Sequence, residues 1–165
     1  MTVWKTILLL IFFYKVIQTA FCSGFEYGYA SNGFKYVIHK HNESSYQHAW
    51  CSVHNGIEEF ENTDKTRVDC LTDTHAIEFD FAEKWAESVG QALHYAYMTG
   101  KKAKVILILE NPKKQIYYYK RVQALGVIHN FDVEYVTPEI LNLKNGKCLY
   151  KDCKCKRIKN NNFML

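Results

Sequence analysis

Hydrophobic and polar positions change period several times along the chain. The stretch "NESSYQHAWCSVHNG" sets Tyr46, Trp50 and Val53 at helical spacing, with Gly56 as a C-terminal stop. Three short runs follow, "IEEFE", "TRVDCLT" and "HAIEFDF", and their pattern predicts strands. "AEKWAESVGQALHYAYMTG" is the clearest helix. Trp85, Val89, Ala92 and Ala96 recur along it as an apolar stripe expected to pack on a sheet. Lys84, Ser88, Gln91 and Tyr95 form a polar stripe one step around. "KVILILE" is almost continuous in β-branched residues and leucine, as in a strand buried on both faces. "NPKKQIYYYKRVQALGV" predicts a helix with Pro112 early in it, and "FDVEYVTP" a closing strand. Ahead of these, residues 25–39 alternate aromatic with small or polar residues around two glycines, which suits a loose hairpin or an irregular segment.

The order is helix, three strands, helix, strand, helix, strand. It predicts an α/β fold with a central mixed sheet flanked by helices. The 165 residues fit one domain with a substantial core. Composition agrees, at 48% hydrophobic residues with only 2 prolines, and no tract is biased enough to form a linker.

The first 24 residues stand apart. "MTVWKTILLLIFFYKVIQTAFCSG" has Lys5, then an apolar run from Thr6 to Tyr14, then small residues at Thr19, Ala20, Ser23 and Gly24. That order is the pattern of a secretory signal peptide. The competing reading, a retained membrane anchor, is weakened by Lys15, which breaks the run short of the ~20 residues a spanning helix needs. Lipid attachment at Cys22 would follow Phe21, a poor fit to the small residue such sites prefer. The expectation is an exported protein, periplasmic or secreted, with no stable membrane span after the signal is removed.

Setting these residues aside lowers the formal charge from +4 to +2, with 19 basic against 17 acidic residues. So small an excess neither requires nor excludes a polyanionic partner. The basic residues cluster in "GKKAKV", "NPKKQ" and "KDCKCKRIK", which more often marks a solvated face than a nucleic-acid footprint. Cys51, Cys70, Cys148, Cys153 and Cys155 lie beyond the signal. "CLYKDCKC" lacks the paired C-x-x-C halves of a zinc site, so disulfides in an oxidising compartment are favoured, although spacing alone does not say which cysteines pair.

Candidate chemistry concentrates in "RVDCLTDTHAIEFDFAEKWAESVGQALHYA", residues 67–96. Strand side chains alternate, so Glu78 and Asp80 point one way and Ile77 and Phe79 the other. The short link "TDTH" brings the strand of Asp69 alongside as a hairpin, which lets three carboxylates converge on one face. Three such charges repel unless a cation sits among them. Hard oxygen ligands of this kind suit magnesium or manganese. On periodicity alone, the Lys84, Ser88, Gln91 and Tyr95 stripe is an ordinary solvent-facing helix surface.

The full string resembles the PD-(D/E)XK nuclease superfamily, and within it the RecB-like exonuclease branch with its Q-x-x-x-Y helix motif. Asp69 matches the Asp of the motif, Glu78 the acidic residue of the next strand, and Gln91 and Tyr95 the helix signature. The likeness covers residues 43–136 in element order, and its specific motifs lie in 67–95. It implies a restriction-endonuclease-like fold and magnesium-dependent (or manganese-dependent) hydrolysis of phosphodiester bonds in DNA or RNA. It implies further that Asp69 and Glu78, with the Phe79 carbonyl, hold the metal, that Lys84 assists the attacking water or the phosphate, and that Gln91 and Tyr95 position the nucleic acid. Glu43 is a candidate further ligand or water-holding group, its plainer reading being an exposed Glu in a helix's first turn.

One departure matters. The family places Lys two residues after the acidic residue, where this chain has Asp80. Either the lysine has migrated to Lys84 or the domain has lost its chemistry; the shared stripe of Lys84, Gln91 and Tyr95 favours migration. The alternative is a non-catalytic exported domain of nuclease-like fold that binds nucleic acid or a protein partner. In the implied fold the first helix packs near the strand hairpin, so a Cys51–Cys70 bridge could brace the site. His39, His41, His48 and His54 read as scattered surface histidines, while His75 and His94 flank the constellation and could touch substrate. The expected organisation is a signal peptide over 1–24, a nuclease-like α/β domain over 25–150, and a basic Cys-containing tail over 151–165, with oligomeric state left open.

Overall fold

The structure, a computed structural model, describes the backbone of residues 26–29 and 35–143 and the side chains of residues 39–143. The signal segment 1–24, the tail 151–165, Cys22, Cys148, Cys153 and Cys155 lie outside the described residues.

The chain forms two compact units, one ending at His39 and the other beginning at Lys40. In the first, β1 (Glu26–Tyr29) and β2 (Lys35–Ile38) pair antiparallel, which agrees with the hairpin of the two alternatives that the alternation left open. The second unit contains α1 (Glu43–Val53), β3 (Ile57–Glu61), β4 (Arg67–Leu71), β5 (His75–Phe81), a 3-10 turn (Ala82–Lys84) and α2 (Trp85–Thr99). It continues through β6 (Lys102–Ile108), α3 (Pro112–His129) and β7 (Asp132–Val136). Every element predicted from the pattern is present.

The sheet runs β3-β4-β5-β6-β7. β3, β4 and β5 are antiparallel neighbours, and β5, β6 and β7 are parallel, so the sheet is mixed. Parallel neighbours need crossovers, which α2 and α3 supply; crossovers of one hand advancing in one direction put both helices on the same face. There Ala92 and Val122 pack with Ala103, Val105 and Leu107. The opposite face carries Ile77, Phe79, Phe81, Ile106 and Ile108 under Tyr46, Ala49 and Trp50 of α1. The strict alternation along β5 and β6 thus feeds two cores.

Cys51 of α1 and Cys70 of β4 are bonded, 19 residues apart in sequence. Both are fully buried. The bridge explains Gly56 better than a helix stop does. α1 already ends at Val53, and Asn55 takes the left-handed turn at φ 53°. A Cβ on Gly56 would stand 2.3 Å from the Cys70 sulfur and 2.6 Å from the Cys51 sulfur, so the chain passes the bridge only where no side chain exists.

Gly56→Ala is therefore expected to destabilise by about 1–3 kcal/mol through overpacking. The same substitution in a Cys51→Ala, Cys70→Ala background should cost much less, although loss of the bridge itself costs about 2–4 kcal/mol. Urea unfolding of the four proteins reads both terms; a Gly56→Ala penalty of equal size in the two backgrounds would assign the glycine another cause.

Candidate functional site

β5 lies between β4 and β6 and is covered on both faces, so its polar residues are buried with its apolar ones. Glu78 is 4% exposed and Asp80 2%. Because Cys70 pairs with Ile77, Asp69 stands beside Glu78 on the α2 side of the sheet. Asp69 Oδ2 accepts the Phe79 backbone N–H at 2.7 Å. The carboxyls of Glu78 and Asp69 are hydrogen-bonded to each other. Asp80 Oδ1 accepts the Phe81 N–H at 2.9 Å and faces the Lys84 ammonium at 3.3 Å. Glu43, at the start of α1, is partly buried and hydrogen-bonded to Asp80, so it is not the exposed first-turn residue that its position suggests.

Burial and mutual repulsion set the protonation of this group. Burial, then Asp69, raises Glu78 to about 11. Burial, then Asp80 and Asp69, raises Glu43 to about 8. Burial raises Asp69 to about 6 against the Phe79 and Glu78 hydrogen bonds. Asp80 is also raised, chiefly by burial, although Lys84 opposes it. Near neutral pH, Glu78 thus keeps a proton and donates it to Asp69, which offsets repulsion that ionised partners would suffer.

Lys84 lies in the 3-10 turn just ahead of α2, rather than in that helix's first turn, and is half exposed. Burial lowers its pKa, but Asp80, Glu43 and Glu87 together outweigh it and leave the ammonium more firmly protonated. The helix stripe is not solvent-facing as periodicity alone suggests: Ser88 and Tyr95 are buried and Gln91 is partly so. Tyr95 is hydrogen-bonded to Gln91, and its pKa is raised by burial and then by Glu78 and Asp69. It remains a neutral phenol beside the carboxylates. Of the apolar stripe, Ala92 is fully buried in the core, while Trp85, Val89 and Ala96 are only partly buried and pack at its margin.

Two residues join this group without standing out in the sequence. Gln47 is 2% exposed, and its Nε2 donates both to the Asp69 backbone carbonyl and to Glu59 Oε1, the latter at 3.1 Å. Glu59 lies in the middle of β3 at φ 54°, a left-handed value strained for a non-glycine residue. The β3–β4 register pairs residues on either side but not Glu59 with Asp69, and the Gln47 amide fills the gap in the ladder. Gln47 follows Glu43 by four residues on α1, so helical spacing from Glu43 was a signal that could have found it. Nothing local marks Glu59.

The histidines divide differently from expectation. His41 is buried, 3% exposed, instead of lying on the surface. His48 pairs with Glu58 at 2.7 Å and His54 stacks on Trp50. His75 faces Asp132 at 2.9 Å and His94 faces Asp64 at 2.7 Å.

Among the described residues no group of three or more His, Cys, Asp or Glu stands ready as it is to hold a metal ion. In chemistry the donors fit a hard divalent cation: all are carboxylate oxygens, and the buried Glu78 Oε2 has no hydrogen-bond partner. Rotation of the Asp69 and Glu78 side chains would be needed to put an ion in place of their shared proton. No family model matches the chain, and no curated protein or solved structure matches it either.

Raised carboxyl pKa values predict a definite pH dependence. Unfolded Asp and Glu ionise near pH 4. Above that the folded chain keeps more protons than the unfolded one, so these groups' contribution falls as pH rises. It is complete below about pH 4 and is lost as pH rises through about 6 for Asp69, about 8 for Glu43 and about 11 for Glu78. The lowered Asp64 and Asp132 act in the opposite direction, as pH falls through their acid range. Metal-free protein should melt lower at about pH 8 than at about pH 5, and Glu78→Gln should flatten that slope. Thermal unfolding across pH measures both; a melting temperature rising from pH 5 to 8 would contradict the arrangement.

Proposed function

We propose that the protein is an exported metal-dependent nuclease that hydrolyses phosphodiester bonds, built on a restriction-endonuclease-like core of the PD-(D/E)XK kind with its lysine moved to the turn after the catalytic strand. The observation that carries this reading is the half-exposed Lys84 ammonium set against the buried carboxyls of Glu78 and Asp80 and the partly buried ones of Glu43 and Asp69. A structural ion pair needs one carboxylate. Four carboxyls crowded together, with Glu78 and Glu43 kept protonated near neutral pH at a cost in stability, are better explained by a cationic ligand.

Asp69 and Glu78, with the Phe79 carbonyl, would hold magnesium or manganese. Such an ion supplies Lewis-acid polarisation of a phosphate and an acidified water. Lys84 reaches solvent and offsets negative charge that develops on the phosphate in the transition state. Glu43, raised to about 8, can exchange a proton with a water at the site near neutral pH. Gln91 orients Tyr95, and the two support Asp69 and Glu78 from the helix side while Gln91 also borders the phosphate path. Export draws support from the buried disulfide, which suits an oxidising compartment. No helix among the described residues is long and apolar enough to cross a membrane.

A non-catalytic nuclease-like domain that binds nucleic acid or a protein is the second reading. It is favoured by one contact: Asp80, at the family's lysine place, holds the Lys84 ammonium and competes with any phosphate for it.

Nuclease-free preparations tested with magnesium and manganese on linear, circular and single-stranded substrates decide between them. Asp69→Asn and Glu78→Gln should each lose at least about 100-fold in rate and weaken metal binding. Lys84→Met should lose about 100-fold in rate while metal affinity, read by calorimetry, holds or rises, because a cation opposes a divalent ion. Asp80→Asn should match the Asp69 change if Asp80 is a working ligand, and leave activity intact or improved if it only restrains Lys84. Wild type inert on every substrate with both metals would leave the non-catalytic reading.

A further inference from the structure

α3 is unlike the other described helices in charge. Over Pro112–His129 it carries Lys113, Lys114, Lys120 and Arg121 and no acidic residue, and three consecutive tyrosines interrupt its basic positions. Tyr117 is 48% exposed, and its ring lies 4.0 Å from that of Tyr118, centroid to centroid. The exposed Arg121 guanidinium stands 4.8 Å from the Trp85 ring centre, 5.8 Å from Tyr117 and 5.9 Å from Tyr118. Three rings and one cation thus form a single surface cluster.

That cluster is continuous with the candidate site. Trp85 follows Lys84 directly. Gln115 of α3 donates to Glu83 at 2.8 Å, which ties α3 to the turn that carries Lys84 and engages the acidic residue that precedes it in sequence. Glu87 remains on α2, so the favourable path for an anion runs along α3.

We propose that this face of α3 is a platform for single-stranded nucleic acid, with bases against Tyr117 and Arg121 and phosphates along Lys113 and Lys120 toward Lys84. The inference rests on the nuclease reading for its direction, since it supplies the strand to be cut. Flat rings offer a face to any unpaired base, whereas a duplex keeps its base faces stacked inside. Basic residues on either side of the tyrosines can pair with phosphates of the same strand.

The test is fluorescence anisotropy of the full chain with labelled oligothymidylate, oligouridylate and a duplex of equal length, in chelator so that no cleavage occurs. Wild type should bind at least one single strand about tenfold more tightly than duplex. Tyr117→Ala should weaken single-strand binding about tenfold while Tyr117→Phe retains it, because stacking needs the ring and not the hydroxyl. Replacing Lys113 and Lys120 with Gln should reduce the salt dependence of binding. Duplex binding equal to or tighter than single-strand binding, or a Tyr117→Ala protein that binds as wild type does, overturns the proposal. Because no metal is present, binding without later cleavage leaves this platform standing and removes the nuclease reading; cleavage with no role for Tyr117 does the reverse.

Discussion

Two acidic residues on one face of an interior strand impose the main constraint on this molecule. Glu78 and Asp80 alternate with Ile77, Phe79 and Phe81 along β5, and β5 is flanked by strands and covered by helices. The apolar residues make the strand's position favourable. The same position removes the carboxyls from water, at a cost that must be met by a proton, a cation or hydrogen bonds. Asp69, Glu43 and Lys84 are arranged around that cost. A proton is held between Glu78 and Asp69, another between Glu43 and Asp80, and Lys84 faces Asp80 from the solvent side.

The surrounding scaffold limits how far these groups can separate. The Cys51–Cys70 bond joins α1 to β4 one residue from Asp69, and Gly56 leaves the bridge room. Gln47 reaches from the same helix to the Asp69 carbonyl and to Glu59. The left-handed backbone at Glu59 costs free energy, and the site shows where that strain is spent: a side-chain amide replaces a ladder hydrogen bond beside the carboxylates. On the other face, Gln91 and Tyr95 close the site from α2. Asp69 is therefore held through its backbone by α1 and through its carboxyl by β5.

Most of the fold was legible in the chain because it is governed by local periodicity. Period-two runs became β3, β4 and β5; the unbroken apolar run became the central parallel strand β6; and helical spacing, with Pro112 at the start of one segment, located α1, α2 and α3. Asp69, Glu78 and Asp80 share one face as alternation and a short hairpin required, and Lys84 pairs with Asp80 beside them.

What the sequence determined by itself was the succession of elements and the residues each would present on one face, since these follow from 3.6-residue and two-residue repeats. Burial was decided only by the tertiary structure. Ser88 and Tyr95 occupy a stripe whose composition suits water, yet they face the sheet because α2 must cross over β5 and β6. Glu43 looks like a first-turn surface residue and is instead turned toward Asp80, because α1 is tied to β4 by the disulfide. Gln47 and Glu59 meet Asp69 from 22 residues before it and from the neighbouring strand, a pairing no single stretch encodes. The protonation of the carboxyls belongs to the same class. It depends on distances between groups far apart in sequence and on the water excluded from among them, and both exist only once the sheet has closed.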